Sequence, residues 1–179
     1  MLIRLIYAST ANDSVDLNEF KNILQQAQAN NYRNDLTGML AFNSKVFLQA
    51  LEGSRKQVNE LYSKLVRDPR HHSVTVLGYK EIEERHWASW SMGFTAPNSN
   101  NRALFLKYSQ QSSFNPYAMA AEATEKMLME LAKTTVAMAS PAPDAVPALA
   151  AKPVLLAATA VTAAPASAEA GIFARFLKK

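Results

Sequence analysis

Within its first 95 residues the chain alternates between two hydrophobic periods in a fixed order, and few folds accept that order. Leu2 to Ser9 alternates Ile3, Leu5 and Tyr7 with Leu2, Arg4, Ile6 and Ala8, the period of a strand. A helical stripe follows at Leu17, Phe20, Ile23, Leu24 and Ala27. Asp16 and Glu19 stand before it in capping-box spacing, with Val15 and Phe20 as a hydrophobic staple. Leu36 to Asn43 and Lys45 to Glu52 read as a hairpin turning at Asn43-Ser44. A second helix opens at Ser54, with Gln57 in capping position, and buries Val58, Leu61 and Leu65. It stops at Asp68-Pro69, because the residue before a proline is disfavoured in helical geometry. Val74 to Ile82 reads as a fourth strand and Ser89 to Thr95 as a fifth.

This order, βαββαβ with one more strand, predicts an α+β sandwich of the ferredoxin-like type, with both helices on one sheet face. After Pro97 a polar link, Asn98 to Asn101, leads to a short helix through Leu104, Phe105 and Tyr108. Asn115-Pro116, a cap followed by proline, opens another helix, with Tyr117, Ala120, Ala121, Thr124, Leu128 and Leu131 as its stripe. This helical pair is expected to cap the far face of the sheet. From Thr134 to Glu169 the composition shifts to 14 alanines and 5 prolines in 36 residues without an aromatic, the character of a linker. Residues 172–179 form a short cationic amphipathic stretch. A membrane or partner contact there is weighed against an inert tail, and the inert tail is preferred. The expected division is therefore 1–97, 98–133 and 134–179.

Several classes of function are excluded. The chain has no cysteine, which removes disulfides, zinc–thiolate sites and thiol nucleophiles and suits a reducing cytoplasm. Its opening run lacks the apolar core of a signal peptide, and no window reaches the ~20 apolar residues of a membrane span, so a soluble, cytoplasmic protein is expected. The net charge of +4 is spread evenly, which argues against nucleic-acid binding. The five glycines form no phosphate-cradling loop, and His71, His72 and His86 have no metal-ligand spacing. The strand from Lys45 to Glu52 also lacks the glycine–aromatic pattern with which RNA-recognition modules stack bases.

What remains is a set of polar side chains on faces that should be buried. Gln49 shares a strand face with Phe47 and Leu51, and Tyr7 shares one with Ile3 and Leu5. One more turn of the first helical stripe arrives at Asn30 and Asn31. An unpaired buried amide costs roughly 1–3 kcal/mol. Each residue alone is readily satisfied; four together imply an enclosed polar ligand.

Five ordered stretches carry a more specific signal: Leu5-Ile6-Tyr7-Ala8-Ser9; Asn30-Asn31 followed by Leu36-Thr37-Gly38-Met39-Leu40; Phe47-Leu48-Gln49-Ala50-Leu51-Glu52-Gly53; Asp68-Pro69-Arg70-His71-His72; and Trp90-Ser91-Met92-Gly93-Phe94. In order and spacing, residues 1 to about 95 resemble a BLUF domain, a blue-light sensor using FAD, and the following helices resemble the cap of its short, stand-alone members. The resemblance implies a non-covalent FAD with its ring between the two helices. Asn30 and Asn31 would bond its polar edge, and Ile23 with Leu65 or Val66 would wall it. Lys64, Asp68, Arg70 and His71 would lie at the ring edge or the ribityl-phosphate side. It further implies that Tyr7 lends an electron and a proton to the excited flavin, and that the bridging Gln49 rearranges to leave a red-shifted signalling state.

Strand periodicity sets Trp90 and Met92 on one face, from which the resemblance has them exchange places near Gln49 as the signal relay. Output is expected through light-dependent binding of a protein partner, with homo-oligomerisation, and the chain reads as a regulator, not an enzyme. Two alternatives stand beside this reading: an acylphosphatase-like hydrolase on the same fold, and a light-independent FAD-binding module.

Overall fold

A computed structural model describes residues 1–134. Strand β1 (Leu2–Ala11) is buried on both faces, as suits a strand in the interior of the sheet. Helix α1 (Leu17–Arg33) begins where Asp16 Oδ1 accepts from the Glu19 backbone N–H at 2.7 Å, and it buries Phe20, Ile23, Leu24 and Ala27. Strands β2 (Thr37–Phe42) and β3 (Val46–Ser54) form the expected hairpin. At its turn Ser44 takes a φ of 72°, and Asn43 Oδ1 accepts from the backbone of Lys45 and Val46. Helix α2 (Arg55–Val66) is capped by Ser54 and buries Val58, Leu61 and Leu65.

Strand β4 (His71–Ile82) starts three residues earlier than its periodicity indicated. Its first residues pair with the end of β1, Ala11 with His71 and Thr10 with His72, across a register shift. Strand β5 (Gly93–Thr95) is much shorter than the expected 89–95 and runs parallel to β2. The sheet order is β4-β1-β3-β2-β5, whose first four strands are antiparallel neighbours in the ferredoxin-like arrangement.

The sheet divides the core in two. One face carries Ile3, Leu5, Tyr7, Leu40, Phe47 and Leu51 under α1 and α2. The opposite face carries Ile6, Met39, Ala41, Leu48 and Ala50 under α3 (Arg102–Tyr108) and α4 (Ala121–Thr134). The cap therefore lies where the sequence put it, with one correction. Asn115-Pro116 opens only a short 3₁₀ turn, Pro116–Ala118, and the chain is extended at Met119 before α4 begins. The stripe of α4 is Thr124, Met127, Leu128 and Leu131, while Tyr117 instead reaches Thr10 Oγ1 through its hydroxyl at 2.9 Å. Beyond Thr134 the linker and cationic tail lie outside the described residues. Among those described, no helix is long and apolar enough to cross a membrane.

Candidate functional site

Tyr7 and Gln49 are register partners on β1 and β3, so both side chains leave the sheet on the face covered by α1 and α2. The Tyr7 hydroxyl donates to Gln49 Oε1. The other end of the amide, Nε2, donates to Met92 Sδ at 3.5 Å. All three side chains are buried, with Tyr7 at 0 % exposure. Both ends of the conspicuous glutamine are thus engaged, by a phenol on one side and a thioether on the other.

The segment bearing Met92 is held by three hydrogen bonds, two from α1 and one from β2. Asn31 Nδ2 donates to the Ser91 carbonyl at 2.8 Å, Gln28 Nε2 donates to the Met92 carbonyl at 3.0 Å, and the Gly38 N–H donates to the Trp90 carbonyl at 3.2 Å. Gly93 permits this close passage: a Cβ there would stand 2.7 Å from the Trp90 ring and 2.8 Å from Met39 Cε.

Trp90 and Met92 do not share a face. β5 begins only at Gly93, and the preceding residues turn, with the Trp90 N–H bonded to the Trp87 carbonyl, so a two-residue period does not apply. Met92 enters the core beneath α1 and α2, whereas Trp90 packs with the opposite core beneath the cap.

Of the other candidate residues, Ile23 and Leu65 are buried in the same core as Tyr7. Val66 points outward at 48 % exposure. Asn31 is buried, but Asn30 is only half-buried, and its carbonyl accepts from Asn34 in the last turn of α1. Lys64 is exposed. Just past α2, Asp68 is buried and accepts from the Arg70 backbone N–H at 3.1 Å, and His71 Nε2 lies 2.7 Å from the Leu65 carbonyl.

Two contributors were not singled out from the sequence. Gln28 lies one turn before Asn31 on the same helix face, and Tyr62 lies one turn after Val58. The Tyr62 ring meets Tyr7 edge-on at 5.6 Å. That spacing was the available signal, masked in each case by an apolar neighbour that accounted for the stripe.

Burial disfavours ionisation of both acids at this site. Burial pushes the Tyr7 phenol well above its ordinary range, and the nearby Tyr62 and Asp68 push it further. Burial also raises the Asp68 carboxyl, against the Arg70 backbone N–H and the charges of His71 and Arg70.

Asn31 Oδ1 and Asp68 Oδ2 are buried and have no hydrogen-bond partner. Buried polar atoms are rarely left so. Asn31 offers an acceptor and a second amide N–H, which suit the alternating imide N–H and carbonyl groups of a flavin edge. The residues present fit that group.

Residues 2–93 match the BLUF family, "Sensors of blue-light using FAD", and the chain belongs to it. The fold is close to that of BlsA in its photo-activated state, with a TM-score of 0.69 and 30% identity over 78% of this chain and 98% of that one. In sequence the chain is 36% identical over 77 residues to the Escherichia coli (strain K12) blue light- and temperature-regulated antirepressor BluF. It is 35% identical over 88 residues to a photoactivated adenylate cyclase subunit alpha of Euglena gracilis. These stretches cover 43% and 49% of this chain but only 19% and 9% of those longer relatives. The shared part is the sensor, which is not itself the catalyst, and FAD is the cofactor its family uses. Membership decides against the hydrolase alternative.

Proposed function

We propose that this chain is a short BLUF photoreceptor whose switch is the Gln49 side chain, and that it acts as a regulator by binding a protein partner in a light-dependent way. The observation that carries this reading is the Tyr7–Gln49–Met92 chain of side-chain contacts. Asn31, Asp68, Ile23 and Leu65 would hold the cofactor, with Arg70 and His71 toward its outer end. Bound FAD supplies absorption of blue light and a one-electron acceptor.

The protein's own part follows from its atoms. A phenol that burial keeps protonated can lose an electron only if its proton also leaves, and the acceptor in contact with that proton is Gln49 Oε1. Once the Tyr7 proton is returned, the amide need not recover its first arrangement. A rotated amide turns Nε2 toward Tyr7 and Oε1 toward Met92, and a tautomerised one exchanges a carbonyl for an imidic hydroxyl. Either change alters the contact to Met92 Sδ, which is the first protein atom able to register it.

That BluF is by name an antirepressor supports a protein partner as the output. Self-association belongs to the same reading, and light scattering of lit and dark protein tests it. The first experiment is spectroscopic. Purified protein carries FAD, and blue light shifts its flavin absorption reversibly to the red. A bound flavin without any shift would leave the light-independent binding module as the correct reading.

A further inference from the structure

On the sheet face opposite the switch, one cross-strand row is charged. Lys80 of β4, Arg4 of β1, Glu52 of β3 and Thr37 of β2 are successive register partners. Glu52 is wholly buried, at 0 % exposure. Its Oε1 lies 2.8 and 2.6 Å from Arg4 Nε and Nη2, and its two oxygens accept from the backbone N–H groups of His86 and Trp87 at 3.0 and 3.1 Å. Arg4 extends the chain of contacts: its Nη1 lies 2.6 Å from Glu125 of α4, and its guanidinium sits over the Trp87 ring. Glu125 also meets Lys80 Nζ at 2.7 Å and His86 Nδ1 at 3.4 Å.

Glu52 stands three residues beyond Gln49 on β3, and it anchors the start of the segment that ends in Met92. Both ends of that segment therefore report to the same strand, one through Gln49 and the other through Glu52. Elsewhere α4 packs through apolar side chains and meets α3 through Glu130, which pairs with Lys107 and accepts from the Tyr108 hydroxyl, whereas this cluster ties it to the sheet by charge. Buried pairs of this kind are discrete: withdrawing one partner leaves the other charged and unsolvated.

We propose that the buried Arg4–Glu52–Glu125 cluster is the output latch of the photoswitch, coupling the Gln49–Met92 contact to the docking of α4. This rests on the reading of the chain as a light sensor. A shift of Met92 pulls on the 86–92 segment, the N–H groups of His86 and Trp87 move relative to Glu52, and Arg4 redistributes between Glu52 and Glu125. Coupling between two sites is reciprocal, so loosening the latch must also change what light does to α4.

The test is hydrogen exchange of the FAD-loaded full chain in darkness and under blue light. In the wild type, light accelerates exchange of α4 amides by about fivefold or more, within the usual range of coupling between sites. Glu125→Gln raises the dark rate and brings the light-to-dark ratio below about two, while the flavin red shift persists. Glu52→Gln keeps a carbonyl acceptor for one of the two N–H groups, turns an NH2 toward the other and removes the charge facing Arg4, and it too lowers the ratio. Lys80→Gln acts at a half-exposed side chain, where the fold is safe, and moves the ratio in the same direction. An unchanged ratio in these variants, or a wild-type α4 insensitive to light despite a red shift, would overturn the latch alone. Absence of the red shift in the wild type would overturn the photoreceptor reading and the latch with it.

Discussion

Tyr7 and Gln49 stand opposite each other on neighbouring antiparallel strands, with the phenol donating to the amide oxygen inside a core from which water is excluded. Gln49 bridges Tyr7 and the segment that carries Met92 through hydrogen bonds at both ends of its amide. A change at the phenol has to pass through that amide to reach the cap along these contacts.

Tyr7→Phe keeps the ring and its edge contact with Tyr62 but leaves Gln49 Oε1 buried without its donor. A loss of about 1–3 kcal/mol of folding stability is expected, with flavin retained and the red shift abolished. Denaturant titration and a light-minus-dark absorption spectrum check the two parts separately.

Met92→Leu conserves volume, so stability falls by less than about 1.5 kcal/mol. It removes the sulfur that accepts from Gln49 Nε2, an interaction of the arrangement described above. That arrangement loses its advantage over the rearranged one, and thermal return after illumination slows, by up to about tenfold for ~1.4 kcal/mol. Recovery followed at the flavin absorption edge measures it; recovery at the wild-type rate would remove Met92 from the switch.

Asn31→Ala takes away both the bond to the Ser91 carbonyl and the buried acceptor proposed for the flavin edge. FAD affinity should fall by about tenfold or more, since unmade buried hydrogen bonds cost roughly 1–3 kcal/mol. The flavin-to-protein absorbance ratio after dilution and dialysis reads this directly. An unchanged ratio would assign Asn31 to holding the Ser91 segment only.

The raised pKa of Tyr7 has a definite sign in stability. The folded state holds the phenol proton more tightly than the unfolded chain, so its contribution is fully present below the unfolded value near 10. Above that pH the contribution is lost, by about 1.4 kcal/mol per pH unit until the folded pKa is reached. Tyr7→Phe lacks this term. The stability difference between wild type and Tyr7→Phe should therefore be flat below pH 9 and shrink as the pH rises above ~10. Parallel unfolding curves through that range would contradict the burial of an unionised phenol.

The sequence already indicated the polar set, because a buried amide in a run such as Val46 to Leu51 is chemically conspicuous. Helix caps at Asp16 and Ser54, the stripe Val58, Leu61 and Leu65, and Phe20, Ile23, Leu24 and Ala27 of the first stripe followed from local rules and were realised. The segment before β5 was not legible. Its path is fixed by hydrogen bonds to Gln28, Asn31 and Gly38 from distant elements, so periodicity wrongly aligned Trp90 with Met92. Asn30 and Asn31 looked equivalent on the helical stripe, yet a 100° rotation per residue separates a half-buried side chain from a buried one. The latch was hidden for a related reason. Arg4 and Glu52 read as ordinary strand polar residues until register aligned them and α4 brought Glu125 across.

The most direct test of the switch is the light-minus-dark absorption spectrum of Gln49→Leu with FAD bound. A leucine fills the space of the amide but can neither accept from Tyr7 nor donate to Met92. A yellow protein with no red shift is the predicted result; a full, reversible red shift in that variant would contradict the claim that the Gln49 amide is the switch.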